Sequence, residues 1–210
     1  MPLTTVHLLR HGEVFNPEKV LYGRLPGFRL SELGERQAAA AGEWLATRDV
    51  VHLVSSPLQR AQQTTAPLAA ATGLEIATDE RLIEADNVFE GRRVAGGSGL
   101  FRDPKMFRYF VNPWRPSWGE PYAEIADRVL AAARAARDAA TGHEAVCVSH
   151  QLPIVCAARR SRGQRLPHDP RKRRCSLASV TSLVFDGDVI VDVRYTEPAA
   201  ALPAGRGAGA

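Results

Sequence analysis

Residues 8–13 of this chain, Leu-Leu-Arg-His-Gly-Glu, are the stretch that decides its fold. They end an apolar run and change abruptly to a cation, an imidazole, a glycine and a carboxylate. This pattern predicts a buried strand whose carboxyl end opens onto a ligand site of an α/β sheet. Any one of these residues alone is more typical of an ordinary solvated strand end. Arg10 can hold a phosphate through a planar fork of donors, and His11 is a candidate nucleophile. Gly12 permits a sharp turn and the close approach of a bulky anion to the main chain.

Three further segments place polar side chains in comparable positions. The apolar run 50–54 leads into a helix start that contains Arg60, and the apolar run 145–148 leads to Ser149, His150 and Gln151. Between them, Glu84 follows Leu-Ile in a loop. Because the carboxyl ends of parallel strands share one edge of a sheet, we expect these side chains to meet there.

These pieces together resemble the histidine phosphatase superfamily, which includes the cofactor-dependent phosphoglycerate mutases. The matching segments are residues 10–13, 30–38, 55–61, 82–84 and 149–150, and the similarity extends from about residue 3 to about residue 195. The resemblance implies a phosphoglycerate mutase-like fold and a histidine nucleophile at His11. It also implies a phosphate pocket of Arg10, Arg60 and His150, with Gln151 beside it, and a general acid at Glu84.

Two departures from the family pattern leave alternatives open. The family commonly has an asparagine six residues after the nucleophile that contacts the phosphate, whereas Asn16 lies five residues after His11. Asn16 is therefore either a phosphate ligand on a shortened loop or a residue with another role. The segment after Glu84 is one residue shorter than the family pattern, which leaves Glu13 and Asp86 as rival acids.

The chemistry can be argued from the residues themselves. A nucleophilic imidazole must be neutral, and neighbouring cations such as Arg10, Arg60 and a protonated His150 disfavour its protonation. The same cations stabilise a transferring phosphoryl group, whose charge spreads over three oxygens. A leaving alkoxide needs a proton, and burial together with a bound phosphate would raise the pKa of Glu84 so that it could donate one. This chemistry requires neither a metal ion nor a cofactor.

Short apolar runs alternate with segments of helical periodicity. This alternation predicts one α/β domain over residues 1–196, a three-layer α/β/α sandwich around a mostly parallel sheet. Strands are expected at 3–9, 51–54, 75–77, 144–148, 177–185 and 188–195, the last two joined by a hairpin turn. Helices are expected at 30–46, 58–72, 121–140 and 152–160. Residues 91–120 show no clear period and predict a lid or insertion over the site. Residues 197–210 are rich in Ala, Gly and Pro and predict a disordered tail.

The composition indicates the cellular compartment in which the protein is expected. Cys147, Cys156 and Cys175 are odd in number and form no CxxC pair, which favours buried thiols in a reducing compartment. Neither a signal peptide nor a membrane span is evident, so the expected location is the cytoplasm.

The formal net charge is +4, and residues 159–174 carry eight Arg or Lys against one Asp. This basic run suits either a solvated loop near an anionic pocket, which we favour, or a nucleic-acid surface.

The function predicted from the sequence is a metal-independent phosphomonoesterase that hydrolyses a small phosphorylated metabolite through a phosphohistidine. One alternative is a phosphoglycerate mutase-type isomerase, but the family's arginine-rich substrate pattern is absent from residues 91–120. A second alternative is a non-catalytic module that binds a phospho-ligand or nucleic acid. The intact set of catalytic residue types argues against it. The sequence does not indicate the oligomeric state.

Overall fold

The computed structural model describes residues 2–93 and 119–203, which form a three-layer α/β/α sandwich. The strands are Thr4–Arg10 (β1), Val50–Ser55 (β2), Ile76–Thr78 (β3), Glu144–Ser149 (β4), Val180–Asp186 (β5) and Val189–Thr196 (β6). The α-helices are Glu32–Ala46 (α1), Gln59–Thr72 (α2), Tyr122–Ala139 (α3) and Gln151–Ser161 (α4). The predicted lid or insertion at 91–120 lies largely outside the described residues.

The six strands form one sheet in the order β3-β2-β4-β1-β5-β6. Strands β1 to β4 are mutually parallel, and β5 and β6 run antiparallel as a hairpin at one edge, which confirms the predicted mostly parallel sheet. In register, Arg10 of β1 is level with Ser149 of β4, and Ser55 of β2 is level with Val148. The carboxyl ends of these three neighbouring strands therefore lie at one edge, with β4 in the middle.

Both faces of the sheet are covered by helices, because successive residues of each central strand alternate between two apolar clusters. Leu8 and Cys147 join the cluster that includes Val129 of α3 and Ile154 of α4. The residues next to them, Leu9 and Val148 among others, join the cluster of α1 and α2. This burial on both faces explains why apolar residues stand next to one another in β1, at Leu8 and Leu9, and in β4, from Ala145 to Val148.

Local signals fix several element ends. Ser31 caps α1, its hydroxyl accepting a hydrogen bond from the Gly34 amide at 3.0 Å, so the helix begins at residue 32 and not at 30. Helix α2 ends at Gly73, which adopts a left-handed conformation with φ of 73°. Strand β5 begins at Val180 and not at residue 177, because Ala178 has a positive φ of 53° that interrupts extended backbone.

Residues 197–203, expected to belong to a disordered tail, instead form turns that pack onto the domain. Ala199 is buried in the cluster of α1 and α2, and Leu202 packs against the same cluster. The Glu197 carboxylate accepts a hydrogen bond from the Tyr195 hydroxyl at 2.7 Å. Residues 204–210 lie outside the described part of the chain.

Candidate active site

The carboxyl edge of the sheet brings together the five side chains that the sequence singled out for catalysis. Arg10 ends β1 and His11 follows it, Arg60 lies in the first turn of α2, and His150 stands between β4 and α4. Glu84 enters from the loop after a short 3-10 helix over Glu80–Leu82. All five side chains are buried. Residues distant in sequence meet here because β1, β4 and β2 are adjacent and end level with one another.

His11 is held with one ring nitrogen free. Its Nδ1 lies 2.7 Å from the carbonyl oxygen of Gly12, which can only accept, so Nδ1 carries the proton. Its Nε2 is buried and has no hydrogen-bond partner among the described residues. Burial lowers the pKa of His11 well below its ordinary value, and the positive charges of Arg60 and Arg10 lower it further. A neutral imidazole with an unpaired lone pair on Nε2 is the form that a nucleophile requires.

The two arginines are anchored through one end of each guanidinium. Arg10 donates from Nη1 to the Cys175 carbonyl at 2.6 Å, and Arg60 donates from Nη2 to the Gly23 carbonyl at 2.7 Å. The Nε atom of each is buried and has no partner among the described residues. Each guanidinium thus keeps donor capacity for an anion that the main chain does not use.

His150 and Glu84 complete the cluster. The ring centroids of His11 and His150 are 5.1 Å apart, and His150 Nε2 lies 2.8 Å from the Ser56 hydroxyl. Burial lowers the pKa of His150 well below its ordinary value, as do the nearby charges, Arg60 foremost. This lowered pKa favours a neutral His150, so the expected repulsion by a protonated His150 is not the main cause of the lowered pKa of His11. Burial is the first cause for both histidines.

Glu84 has one engaged and one free carboxylate oxygen. Oε1 accepts a hydrogen bond from the Ala85 amide at 2.9 Å, whereas Oε2 is buried without a partner among the described residues. Burial raises the pKa of Glu84, opposed by the Ala85 amide and by the charges of Arg60, Arg10 and Arg173. A carboxyl group with a raised pKa and a free oxygen is suited to proton donation.

The rival acids differ from Glu84 in their surroundings. Asp86 is exposed to solvent. Glu13 accepts a hydrogen bond from the Ser31 hydroxyl at 2.7 Å at the start of α1, so its carboxylate supports the helix terminus. These placements favour Glu84 as the acid.

Gly12 has a packing role that the sequence did not suggest. A Cβ at this position would lie 2.5 Å from the carbonyl oxygen of Gly34 in α1, and the Gly12 amide donates to Thr64 at 3.1 Å. Gly12 therefore allows the strand end to pack against a helix, and its amide is already occupied.

Asn16 and Gln151 lie in two different settings. The Asn16 side chain donates to the Val20 carbonyl at 2.8 Å and accepts from the Val20 amide at 3.1 Å, which supports a role in shaping its loop. Gln151 begins α4 and shares a cavity of about 300 Å³ with Arg10 and Arg173. Its amide points to the Cys175 carbonyl at 3.4 Å, the same oxygen that Arg10 contacts.

The family model described as histidine phosphatase superfamily (branch 1) matches residues 6–197. The chain belongs to this superfamily. An uncharacterized protein of Mycobacterium tuberculosis, Rv0525, is 57% identical over 197 residues, covering 94% of this chain and 98% of the relative. The probable phosphoglycerate mutase GpmB of Yersinia enterocolitica is 32% identical over 184 residues, covering 83% of each protein. These matches confirm the resemblance stated from the motifs.

Solved structures agree with this placement in the superfamily. The native structure of a mycobacterial glucosyl-3-phosphoglycerate phosphatase, Rv2419c, superposes with a TM-score of 0.71 at 26% identity, covering 97% of this chain and 98% of that one. A structure of Bacillus stearothermophilus YhfR has a TM-score of 0.75 at 24% identity over 96% of this chain, and it supports the fold alone.

Sequence reasoning missed a pair of arginines that hold the loop carrying Glu84. Arg24 donates to the Glu84 carbonyl at 2.7 Å, and Arg128 of α3 donates to the Ile83 carbonyl at 2.8 Å. The Glu120 carboxylate joins them, 3.1 Å from Arg24 and 2.7 Å from Arg128. No local motif marks these residues, because their partners are main-chain oxygens from a distant loop.

Two more missed residues touch the cluster directly. The guanidinium of Arg60 lies 4.8 Å from the ring centroid of Tyr22, and the rings of Tyr22 and His11 are 6.5 Å apart. Ser56 orients His150, as described above. Ser56 stands in the segment 55–61 that carried the resemblance, so its position gave a signal, whereas Tyr22 lies in a loop without one.

The described residues contain no group of three or more His, Cys, Asp or Glu side chains placed to hold a metal ion. In the same part of the chain, no helix is both long and apolar enough to cross a bilayer. The three cysteines are buried and unbridged, as predicted. Burial raises the pKa of Cys147 and of Cys156 to about 12, so both thiols stay protonated at neutral pH.

Proposed function

We propose that this protein is a phosphomonoesterase that acts through a phosphohistidine on His11, without a metal or a cofactor. The observation that carries the proposal is a set of buried polar atoms without partners among the described residues. They are Nε of Arg10 and Arg60, Nε2 of His11, Nδ1 of His150 and Oε2 of Glu84. Leaving buried polar atoms unpaired is costly, so the cluster is best explained by a ligand that pairs with them.

A phosphoryl group satisfies each of these atoms in a chemically sensible way. The nucleophile Nε2 of His11 attacks phosphorus, the bond to the alcohol oxygen breaks, and Glu84 transfers its proton to that oxygen. Arg10 and Arg60 stabilise the charge on the equatorial oxygens. In the second half, the Glu84 carboxylate takes a proton from water, the oxygen of that water attacks phosphorus, and the bond to His11 breaks. Inorganic phosphate leaves and both residues return to their starting states.

Hydrolysis and isomerisation share this first step, and the relatives point in both directions. The structurally similar protein at 26% identity is a glucosyl-3-phosphoglycerate phosphatase, and a relative at 32% identity is a probable phosphoglycerate mutase. We favour the phosphatase because the superfamily's arginine-rich mutase pattern is absent from the sequence. The substrate class we propose is a small phosphorylated metabolite.

The proposal is tested by rapid quenching and by a substrate panel. Wild-type protein quenched during turnover of radiolabelled substrate should carry acid-labile, base-stable phosphate, and His11→Ala should carry none and lose turnover. His143→Ala is the matched control, because this exposed histidine pairs with Asp49 at 2.6 Å outside the site. Release of phosphate from panel members, in the presence of chelator, supports the phosphatase.

Conversion of 3-phosphoglycerate to its 2-isomer without release of phosphate would establish the mutase instead. Full activity of His11→Ala would refute the nucleophile.

A further inference from the structure

A second cavity, next to the one that contains Arg10 and Gln151, is built largely from the basic run between residues 159 and 174. Its volume is about 530 Å³, within the range of small-molecule sites. One wall is the last part of α4 with the residue after it, and the other follows a short 3-10 helix over Pro170–Lys172. The five cations that line it are Arg159, Arg162, Lys172, Arg173 and Arg174.

None of these five cations has a carboxylate partner within the described residues. Arg162 donates to the Val193 carbonyl at 3.0 Å and Arg159 to the Arg165 carbonyl at 2.7 Å. Arg173 donates to the neutral ring nitrogen of His168 at 3.0 Å, and Arg174 lies over the ring of Tyr195 at 4.5 Å. The Lys172 side chain has no hydrogen bond in the described chain.

The surroundings do not neutralise this charge. The single acidic residue in the lining, Asp169, is held by Arg171 at 2.9 Å, and Arg171 is not itself part of the lining. Asp192 lies near Arg162 and is bound to Arg194 at 2.7 Å. The carboxyl end of α4 attracts cations, but a helix terminus carries only about half of one negative charge. Most of the positive charge in the cavity is therefore unbalanced.

We propose that this cavity is a second anion-binding site, which takes a small molecule carrying two or more phosphate groups. Guanidinium groups bind phosphate through paired hydrogen bonds, and cations on two opposite walls suit a ligand with separated charges. Arg173 lines this cavity and also the smaller one that contains Arg10 and Gln151. A ligand bound here would therefore alter the electrostatic potential next to the active site. The site is defined by its own residues and does not rest on the proposed function.

Calorimetric titration with inorganic tripolyphosphate, in about 0.15 M salt to screen non-specific attraction, tests the proposal. Wild-type protein should bind one equivalent, and Arg162→Ala/Lys172→Ala should bind at least tenfold more weakly. Arg160→Ala removes a neighbouring exposed cation, and both Arg160 and its partner Asp127 lie outside the lining, so this variant should bind as wild type does. Lys172→Glu provides the same comparison if the double variant does not fold, because the Lys172 side chain holds no structural contact.

The titration is repeated with saturating orthovanadate, a phosphoryl mimic. Binding that persists places tripolyphosphate outside the candidate active site, and binding that vanadate abolishes overturns the proposal. Absence of binding to wild type, or equal binding by all variants, also overturns it. A mixed-sequence single-stranded oligonucleotide that binds more tightly than tripolyphosphate, with the same loss in the variants, would make this face a nucleic-acid surface instead. If vanadate itself fails to bind, the proposed function is in doubt, while the variant comparison still decides the second site.

Discussion

The free carboxylate oxygen of Glu84, Oε2, lies 4.0 Å from Nδ1 of His150, and both atoms are buried. This separation is too long for a hydrogen bond, and neither atom has another partner among the described residues. The oxygen that joins phosphorus to the leaving group of a substrate would fit between these two atoms, with Glu84 on one side and His150 on the other. The relationship therefore marks where the bond to the leaving group is expected to break, and it ties the proton donor to the phosphate pocket.

Replacing Glu84 should produce a defect that depends on the leaving group. Glu84→Gln keeps the size of the side chain but removes the proton, so kcat for alkyl phosphates should fall by about 10²–10⁴-fold. Turnover of p-nitrophenyl phosphate should change little, because nitrophenolate leaves without protonation. The control is Asp86→Asn, an exposed neighbour that should show no such selectivity. A selective loss in Asp86→Asn alone would transfer the acid role to Asp86.

The same residue should set the alkaline side of the pH profile. Glu84 must be protonated to act, and burial raises its pKa above the ordinary value of a glutamic acid. For an alkyl phosphate, kcat/KM should therefore fall as pH rises through this raised pKa. This alkaline decrease in kcat/KM should be absent with p-nitrophenyl phosphate as substrate, and it should be absent in Glu84→Gln. An alkaline limb of equal size in Glu84→Gln would show that another group titrates.

Arg60→Lys should retain the positive charge and lose the fork that binds phosphate. The guanidinium reaches the Gly23 carbonyl while keeping Nε free, and an ammonium group cannot occupy both positions. We expect kcat/KM to fall by about 10²-fold, comparable to loss of one donor to a developing charge. Arg194→Lys, on the exposed surface and paired with Asp192, is the control. Wild-type kcat/KM in Arg60→Lys would show that charge alone suffices.

Ser56→Ala should weaken catalysis by releasing the ring of His150. The hydroxyl lies 2.8 Å from Nε2 of His150, and one hydrogen bond is worth about 1 kcal/mol, roughly fivefold in rate. Ser56→Thr keeps the hydroxyl and should restore most of kcat, whereas a purely structural defect would not be rescued. Ser161→Ala, whose hydroxyl bonds to Ala157 along α4, controls for loss of a serine hydroxyl.

Acid should destabilise the folded protein through its buried histidines. Burial lowers the pKa of both His11 and His150, so the unfolded chain binds protons that the folded chain does not. The contribution of these two histidines to stability is therefore constant above about pH 6.5 and decreases as pH drops below it, by up to about 1.4 kcal/mol per pH unit for each histidine. Denaturant unfolding at a series of pH values measures this slope.

His150→Gln should reduce that acid slope by one histidine's share. An unchanged slope in His150→Gln would mean that His150 is protonated in the folded state.

Much of the fold could be predicted because its signals are local. The apolar runs at β1, β2 and β4, the Ser31 cap and the Gly73 helix end are each readable from a few neighbouring residues. Errors arose where distant contacts overrode local pattern. Residues 197–203 look like a flexible tail by composition, yet Ala199 is buried because the cluster of α1 and α2 offers it an apolar surface.

The sequence by itself determined which residues meet at the candidate active site. The order of Arg10, His11, Arg60, Glu84 and His150 after successive strands placed them at one sheet edge, since parallel strands align their carboxyl ends. Only the tertiary structure decided the states of these groups. Burial lowers the pKa of the two histidines and raises that of Glu84, and burial depends on side chains brought from several distant elements. The contacts of Arg24 and Arg128 to the loop that carries Glu84, and the packing of Gly12 on Gly34, have no local signature for the same reason.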